Sequence, residues 1–333
     1  MRSLSSANAR SCLIVAASAG LHPRRLTSMC ADPDGWPLLG RHNAQLKLLR
    51  TLKQRKHRER EGLVVLVRLR LPALPTCRPR KRSTHQPRAH PRTAQEGQRL
   101  VLDALEAGQQ PTLLLVADEL ASRPEAEAVR TAAARLAEGS VARVPMAMLD
   151  SLSDTQTPQG VLAMMPQPSL AVPDKPSLVL VFDRISDPGN MGTLLRSAVG
   201  AGAHVALTLP GCSDPWGQKA LRAGMGAQLR MPIRAAASWE DAARQLDGWG
   251  CAAFAADARG ESAHYSLDWR EPCALVVGSE AHGLSEEIAT DRRTTLCRIP
   301  MYGGIESLNA AMAGAIMLFE AQRQRTVGSE AGG

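Results

Sequence analysis

The chain has 333 residues, 44% of them hydrophobic and 22% charged, with a net charge of +8. That length holds two modest domains, and the balance of apolar and charged residues excludes a collagen, a coiled coil and a wholly disordered chain. Its longer apolar runs, such as residues 12–17 and 251–256, fall far short of the roughly 20 residues of a membrane-spanning helix, so no membrane partner is expected.

The charge is unevenly placed. Residues 41–93 carry 16 Lys and Arg against 2 Asp and Glu, a local +14, whereas residues 94–333 carry 20 against 28, a local −8. A basic stretch on a mildly acidic body is the electrostatic handle expected for RNA or DNA, although a solvated arm has the same composition. Aromatic residues make up 3% of the chain, too few for a wall of rings stacking on single-stranded bases. Seven cysteines lie far apart with no C-x-x-C pair, which indicates neither a zinc site nor a disulfide framework and fits reduced thiols in an intracellular compartment; no other metal cluster is visible.

Residues 1–31 hold Arg2, Arg10, Arg24, Arg25, six serines and no acidic residue. That is the composition of a transit peptide for a mitochondrion or chloroplast, with a disordered extension as the plainer reading of residues 1–40. A first domain is expected over residues 41–165. It opens with a helix predicted at 43–61, with Leu46, Leu49 and Leu52 on an apolar edge and basic residues outward. Residues 63–94 hold arginines, five prolines and no acidic residue, and are predicted to be an irregular, disordered insertion. Order resumes with a helix at 98–107, a buried strand at 112–116, an Ala-rich helix at 125–138 and a short strand at 161–164. The Pro-rich residues 166–176 predict a linker.

Beyond the linker, strand-like runs at 178–182, 204–209, 231–234, 252–256, 274–277 and 295–299 alternate with helical patterns at 191–201, 218–228, 239–246, 285–289 and 307–324. The alternation predicts an α/β domain over 177–326, a mostly parallel sheet covered by helices on both faces, followed by a disordered tail at 327–333. Ligands in such folds gather at the carboxyl ends of strands.

Three loops after strands carry polar residues that a plain turn does not require. In residues 183–196, Asn190 is placed to cap the next helix, with Arg196 on its second turn. Residues 277–284 form a glycine-flanked turn presenting one carboxylate, Glu280, and residues 299–309 lead into a helix whose Leu308, Met312, Ile316 and Phe319 form an apolar stripe. Taken singly, Asn190 and Ser307 read as helix caps, Arg196 as a surface charge and Glu280 as a surface carboxylate. Gly278 and Gly283 have phosphate-loop spacing without the Lys that should follow, no G-x-S-x-G marks a hydrolase, and no G-x-G-x-x-G follows the first strand of the sheet.

Together the three loops resemble the SpoU (TrmH-like) family of RNA ribose 2′-O-methyltransferases in the knotted SPOUT superfamily. Asn190, Gly192 and Arg196 meet N-x-G-x-x-x-R, residues 278–284 meet the second motif, and residues 299–301 with 307–309 meet the third. The resemblance covers residues 178–325 and implies a C-terminal trefoil knot, a homodimer and methyl transfer from S-adenosylmethionine to a ribose 2′-hydroxyl. It implies a catalytic set of Arg196, Asn190, Glu280, Ser307 and Asn309, and a cofactor held by the backbone of Gly278, Ile299 and Leu308, with no metal. A guanidinium has a pKa above about 12, so Arg196 is assigned to holding an RNA phosphate or a developing alkoxide rather than to taking the proton. Asn190 and Asn309 are expected to orient Arg196 or the substrate, and Glu280 to fix the charge of Arg196.

The first domain is similar to the small α/β substrate-binding domain of the ribosomal-RNA branch of the family, in which segments like 54–62 and 96–101 lie close in sequence. Here about 30 residues intervene, coinciding with the predicted insertion. The reading that results is an enzyme for organellar ribosomal RNA. Transfer RNA is the alternative substrate, and a non-catalytic RNA-binding ribosome-assembly factor the alternative class.

Overall fold

The structure, a computed structural model, describes residues 36–69, 101, 104–105, 109–121, 123, 126–152, 158–303 and 307–330. The predicted transit peptide, most of the predicted helix at 98–107 and the insertion beyond residue 69 lie outside the described residues. The chain divides after Pro166 into two compact units, at the start of the predicted linker.

In the first unit, α1 (Ala44–Thr51) starts at Asn43, whose Oδ1 accepts the Gln45 amide at 2.8 Å, and it buries Leu46 and Leu49. The single helix predicted over 43–61 is two, because α2 (Arg55–Glu61) restarts after Gln54. Buried Arg58 stabilises the break by donating to the Leu52 and Lys53 carbonyls at 2.6 and 2.8 Å, groups left without helical partners at the end of α1. One arginine of the basic segment is therefore structural, while Lys47, Arg50 and Lys56 are exposed.

The predicted insertion begins later than expected. Residues 63–69 form β1 (Leu63–Leu69), which pairs antiparallel with β4 (Pro158–Pro166) and buries Leu63, Val64, Val65 and Leu66. This apolar, β-branched run precedes the first of the prolines, Pro72, and earns its place by packing. With β2 (Leu113–Ala117) and β3 (Val141–Val144) the sheet has the order β1-β4-β2-β3, in which only β2 and β3 are parallel. Three further helices, α3 (Asp118–Ala121), α4 (Glu127–Ala133) and α5 (Met146–Leu152), belong to the unit, in which Val101, Ala104 and Leu105 are also helical.

The second unit runs β5 (Leu178–Phe182), α6 (Pro188–Gly200), β6 (Val205–Thr208), α7 (Gln218–Ala223), β7 (Ile233–Ala235), α8 (Trp239–Trp249), β8 (Ala252–Ala256), β9 (Ser262–Ala263), β10 (Cys273–Val277), α9 (Glu286–Ala289), β11 (Thr294–Arg298) and α10 (Ala310–Glu330). Among the described residues the strands form a seven-stranded sheet, β7-β6-β5-β10-β8-β11-β9, with every pairing parallel. Strands β5 and β10 are buried along their whole length, as continuous apolar runs covered on both faces should be. Met191, Leu194 and Leu195 of α6 pack on one face with Met317, Leu318 and Ala321 of α10. On the other face sit Trp239, Ala242 and Leu246 of α8 with Ile288 of α9.

Several predicted boundaries change, two of them at helix ends. The helix predicted at 218–228 stops at Ala223, because Met225 (φ 48°) and Gly226 (φ 74°) adopt left-handed backbone. The last helix begins at Ala310 and continues to Glu330, so residues 327–330 are helix rather than disordered tail. Its apolar stripe is only partly covered by the described residues. Met312, Ile316 and Phe319 are 61%, 41% and 48% exposed, whereas Ala311, Leu318 and Ala321 on the other face are buried. No helix among the described residues is long and apolar enough to cross a membrane.

Candidate active site

The first loop leaves β5 at Asp183, a carboxylate only 2% exposed. Its backbone N–H donates to the Val277 carbonyl at 2.9 Å, and its Oδ2 accepts the Ser285 amide at 2.6 Å. One buried side chain thus ties the end of β5 to the loop that follows β10.

Asp187, not Asn190, caps α6. Its Oδ1 accepts the Asn190 amide at 2.9 Å, and Pro188 follows where its missing N–H costs nothing. Lys219 of α7 donates to Asp187 Oδ2 at 2.8 Å, and with the Asn190 amide it holds the carboxyl below its usual range. The cap is therefore strongest above about pH 4, where the carboxyl is ionised in the folded and unfolded chain alike, and weakens as pH falls through the lowered folded value. Asp187→Ala is expected to cost about 1 kcal/mol at pH 7 and less near pH 2, measured by urea unfolding at both.

With capping assigned to Asp187, the Asn190 side chain is available elsewhere. Its Nδ2 donates to Glu280 Oε1. Glu280 stands on a tight turn closed by Ser279 N–H to the Gly283 carbonyl at 3.0 Å and by Gly283 N–H to the Ser279 carbonyl at 2.8 Å. Gly283 is left-handed at φ +62°, and a Cβ on Gly278 would lie 2.5 Å from the Gly283 carbonyl. Both glycines are thus required by the turn.

Asn309 closes the figure from the third loop. Its Oδ1 caps α10 by accepting the Ala311 and Met312 amides at 3.0 and 3.2 Å. That fixes the amide orientation and aims Nδ2 at Asn190 Oδ1 (3.2 Å) and Glu280 Oε1 (3.3 Å). Three residues separated by 90 and 29 positions meet at one carboxylate, beside the N-terminal turns of α6 and α10, whose dipoles favour negative charge there.

The rest of the expected set behaves differently. Arg196 is exposed on α6 and makes no hydrogen bond or ion pair with any described residue, so the expected pairing with Glu280 is not formed. Six residues along a helix turn a side chain about 240°, which aims Arg196 away from the Asn190 contact. It also lies on the third turn rather than the second, because α6 starts at Pro188. Ser307 is exposed, with no hydrogen bond to a described residue. Gly192 is structural: a Cβ there would collide with the Ala220 carbonyl and the Gly224 amide, so it sets the approach of α6 to α7.

A model of the SpoU rRNA methylase family matches residues 177–319, and one of the MRM3-like substrate binding domain matches residues 88–163. The mitochondrial rRNA methyltransferase 3 of Homo sapiens is 32% identical over 288 residues, covering 69% of this chain and 67% of that protein. The chain belongs to the SpoU family. The crystal structure of an AdoMet-bound rRNA methyltransferase from Sinorhizobium meliloti is similar to this SpoU protein at a TM-score of 0.66 and 28% identity, over 86% of this chain and 97% of that one. A crystal structure of an RNA 2′-O ribose methyltransferase is similar at a TM-score of 0.65 and 27% identity, over 86% and 98%.

The residues expected to hold the cofactor in this SpoU protein suit an adenosyl group. Gly278 offers only backbone beside a crowded turn, and Ile299 and Leu308 are half-buried aliphatics, so the three bring no charge to the site. Adenine needs apolar surroundings and backbone hydrogen bonds more than charge. Two acidic residues of this SpoU protein escaped the sequence reading, Asp183 and Asp187. Their signals were slight: an acid directly after a buried strand, and an Asp-Pro pair, which commonly opens a helix.

Proposed function

We propose that this SpoU protein methylates a ribose 2′-hydroxyl of mitochondrial ribosomal RNA. It is an S-adenosylmethionine-dependent RNA methyltransferase, and the observation that carries its reading as an active enzyme is the meeting of Asn190, Glu280 and Asn309 at the ends of three separate loops. A fold kept only for binding RNA has no need of that convergence. The relatives and the 1–40 segment support the mitochondrion as its place of action. An out-of-order insertion of β10 between β5 and β8 supports the trefoil threading that is part of the same proposal.

Gly278, Ile299 and Leu308 would hold S-adenosylmethionine, which when bound would supply a methyl group already activated by its sulfonium. The protein's task is to align the ribose oxygen and to favour loss of its proton. Arg196, an exposed cation without a partner among the described residues, is suited to hold an RNA phosphate or the oxygen as it gains negative charge. Asn190 and Asn309 fix Glu280 in place, and the exposed Lys47, Arg50 and Lys56 of the first unit add sequence-independent attraction for RNA.

The exposed Met312, Ile316 and Phe319 stripe is assigned to contact with a second copy. Ile316→Asp with Phe319→Asp is expected to convert a dimer to a monomer of unchanged helical content, measured by light scattering and circular dichroism; a wild-type monomer contradicts the assignment.

Mass-spectrometric mapping of ribose methylation in RNA from cells lacking the protein tests the function. Loss of a mark in mitochondrial ribosomal RNA supports it. Loss of a transfer-RNA mark alone moves the substrate to transfer RNA, and loss of no mark leaves a non-catalytic factor.

A further inference from the structure

The chain holds five tryptophans, three phenylalanines and two tyrosines, and most of these rings pack against protein. Phe182 and Trp269 are fully buried, and Tyr265, though exposed, lies edge-on to His264 with ring centroids 5.2 Å apart. Tyr302 is the most exposed of the described rings at 92%, with no ring partner and no hydrogen bond among the described residues. A single exposed apolar residue needs no explanation by itself. Its position does. Tyr302 sits four residues past β11 in the loop that begins with Ile299 and ends with Asn309, followed by Gly303 in left-handed backbone at φ +75°. The polypeptide that supplies both the proposed cofactor slot and the Asn309 amide therefore also displays a bare aromatic ring.

Resting on the methyltransferase reading, we propose that Tyr302 is a substrate-positioning residue, whose ring stacks on a nucleobase of the RNA and so holds the target ribose at the site. Every base has a π-face, and an unstacked base at a modification site is the natural partner for a ring already in water. Against the described residues the ring buries almost no surface, so its replacement is expected to leave the fold intact.

The test uses the full chain, tritiated S-adenosylmethionine and total ribosomal RNA purified from cells lacking the protein. Tyr302→Ala is expected to raise the KM for RNA about 5- to 100-fold, with kcat and S-adenosylmethionine affinity by calorimetry unchanged within about threefold. Tyr302→Phe and Tyr302→Trp should restore the wild-type KM, because stacking needs the ring and not the hydroxyl. The proposal is overturned if Tyr302→Ala leaves the RNA KM unchanged, if Phe is as impaired as Ala, or if the loss falls on S-adenosylmethionine affinity, which would make the ring part of the cofactor pocket. Filter binding of the same RNA decides the matter independently of turnover. A wild-type protein that binds RNA through Tyr302 but transfers no methyl contradicts the methyltransferase reading and leaves the stacking proposal standing; equal RNA affinity of wild type and Tyr302→Ala contradicts the stacking proposal.

Discussion

Arg196→Ala is expected to lower methyl transfer by about 100- to 1,000-fold while S-adenosylmethionine affinity stays within about threefold. The expected size follows from the side chain's isolation. Among the described residues nothing pairs with the guanidinium, so its charge is unspent until RNA arrives, and truncation leaves no buried partner stranded. The effect should fall on kcat if the charge meets the developing alkoxide, and on the KM for RNA if it meets a ground-state phosphate. Arg196→Lys keeps the charge but loses the planar fork, and is expected to recover only part of the loss. Equal losses of transfer and of cofactor affinity in Arg196→Ala would mean that the residue builds the pocket instead.

Gly278→Ala is the second large effect, and it acts through backbone. The added Cβ would stand 2.5 Å from the Gly283 carbonyl carbon and oxygen and 2.7 Å from the Leu284 amide. These are main-chain atoms of a turn that is itself hydrogen-bonded at both ends, so no flexible side chain can move aside. The turn must open, carrying Glu280 away from Asn190 and Asn309. Overpacking of this kind costs about 1–3 kcal/mol, small enough for the domain to fold. S-adenosylmethionine affinity and methyl transfer are each expected to fall more than about tenfold, read by calorimetry and by tritium transfer, while the far-ultraviolet circular dichroism is preserved. An Ala variant with wild-type affinity would show that the turn is slack and that Gly278 has no part in the pocket.

The three loops were legible because each places polar residues and glycines directly after an apolar strand, where a simple connection would not. Their convergence follows from the parallel sheet, which delivers the carboxyl ends of β5, β10 and β11 to one edge. The cap of α6 was misread because the Asp-Pro-Gly-Asn stretch offers two capping residues three positions apart. Pro188 settles it, being tolerated at the first helical position and unfavourable nowhere else in the first turn so little. The Glu280 partnership was misassigned for a different reason. Charge complementarity suggested Arg196, but helical geometry turns that residue to the solvent side, and two neutral amides take its place.

In the first unit the sequence was less informative. Strand β1 follows a basic helix and precedes a run of arginines and prolines, and that composition hid four buried apolar residues. Strand β3 has only four residues, with Arg143 interrupting its apolar pattern, so periodicity had little to work on. Arg58 could not be told from its exposed neighbours, since burial of a single guanidinium depends on where the two helices around it end.

The most direct test of the site is an experimental structure of the full chain with S-adenosylmethionine bound. The adenosyl group should lie against Gly278, Ile299 and Leu308, with the Asn309 amide still bridging Asn190 and Glu280. Cofactor density elsewhere on the chain, or those three side chains on separate surfaces, would contradict the account.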